Sequence, residues 1–414
     1  MRSPEQTLTK RFKRALFLNQ MAGPLFLEHA EGIAAVFEQN SILHTGHPDT
    51  LGKGSECSRL QVSPAPGYDR TSLFRRAFSW LRYTIFAFQK VICAKSDDLI
   101  VFCSNPPLLS FVGAAALQLR PLNFVTIVHD IYPDTLTRFT KIKETFPLVL
   151  VWTAVNHFFY QNNISVQTLS PGMAKTLANQ FQSVRNPPKA VQVVFPWADP
   201  NFIKPLEKTK NPLAKKLEQV GKTTVLYSGN LGISHDIDSM LQAALILREH
   251  KDINFLFIGE GEKWKDANEF QKKHELDTVK VLPFQPQEVL PHSLALADIA
   301  LVSMEKEAEG LMVPSKTFYN MAAGAAIIGL CTPGSDLARI IKIADCGLSL
   351  ASGSPIQLAM KILELHRNPE SLKNLKVNAS QATLIRFSKE TSISKSIEAI
   401  SNSLESRCES IQIL

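Results

Sequence analysis

The sequence predicts an α/β fold with two doubly wound, Rossmann-like parallel-sheet domains facing across a cleft. Three observations carry this. Near-continuous apolar runs such as "DDLIVFC" and "INFLF" alternate with segments of helical spacing. Parallel strands covered on both faces have this character. The alternation runs once before residue 203 and restarts after residue 222. Finally, the runs end in loops rich in Gly, Pro, His and Asp, where doubly wound sheets bind their ligands.

In chain order, residues 1–13 read as a flexible basic tail, and 14–202 as the first domain. "RALFLNQ" (14–20) is a buried strand running into a Gly-Pro turn and helix. "DDLIVFCSNPP" (97–107), "NFVTIVHDIYP" (123–133) and "NISVQTLSPGMAKTLANQF" repeat strand, turn and helix, and "AVQVVFPWADPNF" (190–202) holds the last strand. The polar stretch 203–222 reads as a linker. The second domain, 223–385, repeats the unit in "GKTTVLYSGNLGISHDIDSMLQAALIL", "INFLFIGEGEKWKDANEF", "VKVLPFQPQEVLPHSLALA", "DIALVSMEKEAEGLMVPSKTFYNMAAG" and "AAIIGLCTPGSDLARIIKIA". Residues 386–414 carry a final helix.

The chain has 414 residues, enough for two domains with real cores, and a net charge of +7. That excess permits anionic ligands or surfaces without choosing among them. The six cysteines form no CxxC pair and no zinc spacing, which reads as a reducing, cytosolic compartment. No stretch reaches the ~18–20 apolar residues of a membrane span, and "ALFL" is too short for a signal-peptide core.

Chemistry concentrates in loops after strands. In "SGNLG" (228–232), Gly229 and Gly232 allow backbone N–H groups to approach an anion; a plain tight turn reads equally well. "GEG", with Gly259 and Gly261, is a turn, and the full GxGxxG of nicotinamide enzymes is missing. In "EGLMVPSK" (309–316), Pro314 suits a helix start. Lys316 would then stand in the first turn, where the helix dipole disfavours a cation unless an anion offsets both. The alternative is a solvated lysine.

Seven runs occur in order: "SNPPLL" (104–109), "VHDIYPD" (128–134), "FPWADP" (195–200), "YSGNLGISHD" (227–236), "FIGEG" (257–261), "EGLMVPSK" (309–316) and "AAG" (322–324). In these the chain resembles the retaining family-four glycosyltransferases of GT-B architecture, and more narrowly the bacterial fucosamine-transferase-like subgroup of surface-polysaccharide assembly. The resemblance implies roles. Glu309 would touch donor-sugar hydroxyls near the anomeric centre. The amides of Gly310, Leu311, Met312 and Val313 would hold the sugar and diphosphate. Lys316 would face the diphosphate, with Gly229, Asn230 and Gly232 as the other diphosphate loop. His129 would lie near the donor sugar, and Gly259 and Gly261 on the nucleotide side. Two departures stand out. Tyr319 occupies the position of the family's ribose-binding glutamate, and Asn230 and His235 replace its Arg and Lys, which leaves Lys316 as the main fixed cation.

The implied reaction moves a sugar from a UDP- or GDP-sugar to a glycan or lipid-linked acceptor with retention, by front-face attack. No metal cofactor is expected, because the Lys316 cation and the helix dipole would take the place of Mg²⁺ on the diphosphate. Nucleic acid is not an expected partner. Localisation would be cytoplasmic, with peripheral contact on the inner face of the plasma membrane. The stretch 72–95 has apolar residues at 74, 78, 81, 85, 88 and 92 with Arg75, Arg76 and Arg82 elsewhere. Two placements fit this helix: on an anionic bilayer, or packed on the first sheet. The resemblance returns the last helix to the first domain. A sugar-nucleotide 2-epimerase of the same fold and a non-catalytic sugar-nucleotide-binding scaffold are the competing functions.

Overall fold

The computed structural model describes residues 3–69, 71–181, 191–232 and 235–412. They divide into two compact units. The first comprises 1–195, Gly310–Met312 and Lys389–Leu414; the second comprises Pro196–Glu309 and Val313–Ser388.

The first unit is built on a seven-stranded parallel sheet in the order β3-β2-β1-β4-β5-β6-β7. Its strands are β1 (Arg14–Leu18), β2 (Ser41–Thr45), β3 (Leu60–Pro64), β4 (Asp98–Cys103), β5 (Phe124–Val128), β6 (Val166–Thr168) and β7 (Val191–Val193). The chain moves outward from β1 to β3, then returns to β4 beside β1. Right-handed crossovers therefore place the helices on opposite faces before and after that reversal. One face buries Phe17, Leu43, Leu99, Val101 and Val125 under Phe26, Ala30 and Ile33 of the helix Pro24–Ala34. The helix Lys389–Gln412 completes this layer with Ile397, Ile400 and Leu404. Ser396 on that helix bonds His29 Nε2 (2.9 Å) and Gln167 Oε1 (2.7 Å), so burial of the imidazole, pushed down to about 3, comes with a partner. On the other face Phe102, Phe124 and Phe159 pack ring on ring.

Three expectations need correction here. The expectation of a flexible tail over 1–13 fails for its described residues, 3–13, which are ordered: Ser3 and Gln6 form a capping box for the helix Pro4–Arg11. Its Leu8 and the following Phe12 are buried in the core, and Thr7 bonds Glu405. Residues 203–222 are not a linker, because their polar groups are buried partners within the second unit. Lys208 bonds Asp298, Asn211 bonds the His292 carbonyl (2.8 Å), and Gln219 accepts from Thr224 (2.9 Å). Third, the helix Leu73–Ile92 does pack on the first unit, but not by its apolar stripe. Ser79, Tyr83, Ala87 and Val91 are the buried side chains, with the Tyr83 hydroxyl donating to the His44 carbonyl (2.8 Å). Phe74, Phe78, Leu81 and Ile85 are exposed.

The second unit holds a six-stranded parallel sheet in the order β10-β9-β8-β11-β12-β13. These are β8 (Thr223–Ser228), β9 (Ile253–Ile258), β10 (Val279–Leu282), β11 (Ile299–Ser303), β12 (Ala326–Leu330) and β13 (Gly347–Leu350). Strand order reverses between β8 and β11, so the loops after these two strands flank the switch-point crevice. The core unites β8, β9, β11 and β12 with the helices Ile237–Ile246 and Pro355–Arg367. Among the described residues no helix is long and apolar enough to cross a membrane.

Candidate functional site

The loop after β8 opens the site. Gly229 has φ +138°, and Gly259, after β9, has φ +156°. A Cβ on Gly259 would sit 1.8 Å from the Gly229 carbonyl, so only glycine lets the two loops lie together. The Gly229 amide donates to Ile258 (2.9 Å), and the Leu231 amide to Glu260 (2.7 Å). Gly259 and Gly261 thus act on the site by positioning the 228–232 loop.

Lys316 begins the helix Lys316–Ala322, after Pro314. That helix has only seven residues, so the charge argument rests on the lysine itself. Its ammonium donates to Tyr227 Oη (2.8 Å) and stands 4.4 Å from the centroid of the same ring. The Tyr227 hydroxyl donates onward to the Asn230 carbonyl (2.8 Å). A Cβ on Gly229 would come 3.3 Å from Lys316 Nζ, which puts the cation against the glycine loop. Burial pushes the Lys316 ammonium down to about 8, and burial also raises the Tyr227 phenol.

His235 packs edge-on against Tyr227 with ring centroids 6.1 Å apart. Burial, and then the Lys316 charge, push its imidazole down to about 4. It is neutral at physiological pH and does not replace a lost cation. Its carbonyl accepts from Lys263 (2.9 Å), which also pairs with Asp238 (2.9 Å). Its amide donates to the Gly232 carbonyl (3.1 Å). Asp236 caps the following helix through the Ser239 amide (3.1 Å).

A pocket of about 260 Å³ opens at this crevice. It is lined by Gly229, Asn230 and Lys316, by the apolar Ile258, Phe284, Leu290 and Leu294, and by the polar Gln285, Tyr319 and Asn320. Asn320 is buried and donates to the Lys316 carbonyl (2.9 Å). The pocket joins a cation to an apolar wall, which suits a ligand with an anionic and an aromatic end. Sequence reasoning missed Tyr227, Phe284, Gln285 and Asn320. Only Tyr227 carried a signal, as the residue directly before the glycine loop.

Glu309 follows a single 3-10 turn, Lys306–Ala308, and is half-buried in the second unit. Its charge adds to burial in raising the Cys331 thiol. Val313 belongs to the same unit, whereas Gly310–Met312 belong to the first. There the Leu311 carbonyl accepts from the Ile131 amide (3.3 Å). Gly310 has φ +69°, and a Cβ on it would meet Thr176 Oγ1 at 2.5 Å. His129, also of the first unit, directly follows β5. Its amide and that of Asp130 donate to Ser104 Oγ (2.9 and 3.1 Å). Burial pushes the His129 imidazole down to about 4 and the Asp130 carboxyl up to about 6.

Two doubly wound parallel-sheet units in one chain define the GT-B architecture. The fold is shared with Anabaena HepE in complex with UDP-glucose: TM-score 0.66, 16% identity, covering 96% of this chain and 99% of that one. Residues 209–382 match the family described as glycosyl transferases group 1. The chain is similar to a probable glycosyltransferase, WbjE, of Pseudomonas aeruginosa: 24% identity over 68% of this chain and 69% of the relative. It is also similar to an N-acetyl-alpha-D-glucosaminyl L-malate synthase of Bacillus anthracis: 22% identity over 54% of this chain and 56% of that protein. The family match covers much of the second unit, and the similarity to the two relatives extends it to more than half of the chain.

Proposed function

We propose that the protein transfers a sugar from a nucleoside-diphosphate sugar to a glycan or lipid-linked acceptor, with retention, in the assembly of a surface polysaccharide or related glycoconjugate. The observation that carries this reading is the Lys316 ammonium, held by Tyr227 against the Gly229 loop in a pocket that is also lined by apolar side chains. The diphosphate would lie against Lys316 and the loop, and the base against Phe284 and Ile258. Tyr319 and Gln285, which line the same pocket, would be the partners of the ribose hydroxyls. The HepE structure, solved with UDP-glucose, supports a nucleotide-sugar donor.

In the reaction the anomeric C–O bond breaks and its electron pair passes to the diphosphate oxygen. The Lys316 ammonium and the loop amides stabilise the charge that develops there. The acceptor hydroxyl attacks the sugar from the face being vacated, and its proton goes to the leaving phosphate oxygen. Glu309 orients the donor sugar and offsets charge at the anomeric carbon. The test is a panel of UDP- and GDP-sugars with a lipid-linked glycan acceptor, read by nucleotide release and by the anomeric configuration of the product. Lys316→Ala should abolish most release in a folded protein.

A further inference from the structure

The exposed stripe of the 73–92 helix is not alone. Phe74 is 91% exposed and Phe78 61%, with Leu81 and Ile85 beside them on the same helical face. A second exposed apolar group follows β5: Phe139, Ile142 and Phe146, then Leu148, Leu150 and Val151 at the start of the helix Pro147–Gln161. The helix Leu109–Leu117 touches both helices and lies between them, and exposed Leu119 follows its end. All three cross on the same face of the sheet, because each connects strands in the same direction after the reversal at β3. Apolar exposure on this scale marks an interaction surface.

Charge identifies the occupant. The 73–92 helix carries Arg75, Arg76, Arg82 and Lys90 and no acidic residue; 138–151 carries Arg138, Lys141 and Lys143 against Glu144. The one acidic contact to Arg75 is Asp69, at 3.7 Å, with both side chains exposed. A second copy docking on this face would bring like charges together, which disfavours self-association. An anionic bilayer satisfies both features. Phenylalanine and leucine side chains enter the acyl boundary while arginine and lysine reach the headgroups.

We propose that Phe74, Phe78, Leu81 and Ile85 together with 139–151 form a face that docks the first unit on an anionic lipid bilayer. The inference is independent of the transferase reading, because its readout is lipid binding and needs no turnover. The full chain is sedimented with vesicles of phosphatidylcholine alone and of phosphatidylcholine with phosphatidylglycerol. Binding should require phosphatidylglycerol and weaken as salt rises. Phe74→Ser/Phe78→Ser/Ile85→Ser and Leu148→Ser/Leu150→Ser/Val151→Ser should each weaken it on the order of tenfold or more. Arg82→Glu/Lys141→Glu/Lys143→Glu, which changes only exposed charges and leaves the fold alone, should weaken it as much. Absent binding, or equal binding to neutral vesicles, overturns the proposal. So does a serine set that alters self-association and leaves vesicle binding intact, which would make the face a contact between copies.

Discussion

The Lys316 ammonium donates to the Tyr227 hydroxyl at 2.8 Å, so a cation taken out of water leans on a neutral phenol. Among the described residues no carboxylate forms an ion pair with it, and burial holds it at about 8. Tyr227→Phe keeps the ring and removes the acceptor. It should lower kcat with little change in KM, and by less than Lys316→Ala, for which a barrier increase of about 2–4 kcal/mol is expected. Thermal unfolding of both variants checks folding. A Tyr227→Phe enzyme with wild-type kcat would show that the hydroxyl does not position the lysine.

The same lysine sets a pH dependence. Its folded value lies below the ordinary 10.5, so the charged form destabilises the fold at neutral pH, and that penalty fades as pH rises from about 8 toward 10.5. Activity runs the other way, since only the ammonium can stabilise a leaving phosphate. The basic limb of kcat/KM should fall near pH 8 and move upward in Lys316→Arg. A limb unmoved by that substitution would assign it to another group.

Glu309→Gln should cut turnover while donor affinity changes less, because the ground-state sugar is neutral and the transition state is cationic. Mass spectrometry with a slow fluorinated donor should find no glycosyl adduct on Glu309. An adduct there would make the reaction a double displacement.

His29 is neutral in the fold, pushed down to about 3 by burial and then by His129. The unfolded chain protonates it near 6.5, so stability is lost as pH falls below that value. The loss reaches roughly 2 kcal/mol by pH 5. Urea titrations should show the gap between wild type and His29→Gln closing as pH falls from 7 to 5. A gap constant across that range contradicts the assignment.

Asp298 accepts from Lys208 and from Lys376 (2.7 Å), which hold its carboxyl below the usual range although burial alone would raise it. Asp298→Ala leaves two lysines facing each other and should destabilise the second unit by about 3–5 kcal/mol. An unchanged melting temperature would return 203–222 to the status of a linker.

The alternation of strand and helix was legible because the central strands β1, β4, β5, β8, β9 and β11 are apolar on both faces. Two of the four edge strands, β3 and β13, were not. β3 ("LQVSP") and β13 ("GLSL") are only half-buried and carry no apolar run. The Pro4–Arg11 helix shows just Leu8 and Phe12 on its inner face, too sparse a stripe to outweigh its basic residues. In the site, Gly229 stood out in a loop after a strand and Lys316 at a helix start, whereas Asn230 and Tyr319 were named only through the family resemblance. Tyr227 closes an apolar strand and reads as core. Phe284 and Asn320 reach the pocket only through packing that no spacing encodes. The 73–92 helix showed its apolar period plainly, but which stripe would be buried depended on Tyr83 finding the His44 carbonyl.

The central claim is sugar transfer from a nucleotide donor held by Lys316. The most direct measurement incubates wild type and Lys316→Ala with UDP- and GDP-sugars, with and without a lipid-linked glycan acceptor, and follows nucleotide and sugar products together. The account predicts acceptor-dependent release of one nucleoside diphosphate, a product with the donor's anomeric configuration, and loss of both in the folded variant. Acceptor-independent interconversion of the donor sugar, or binding of the donor without turnover, would contradict it.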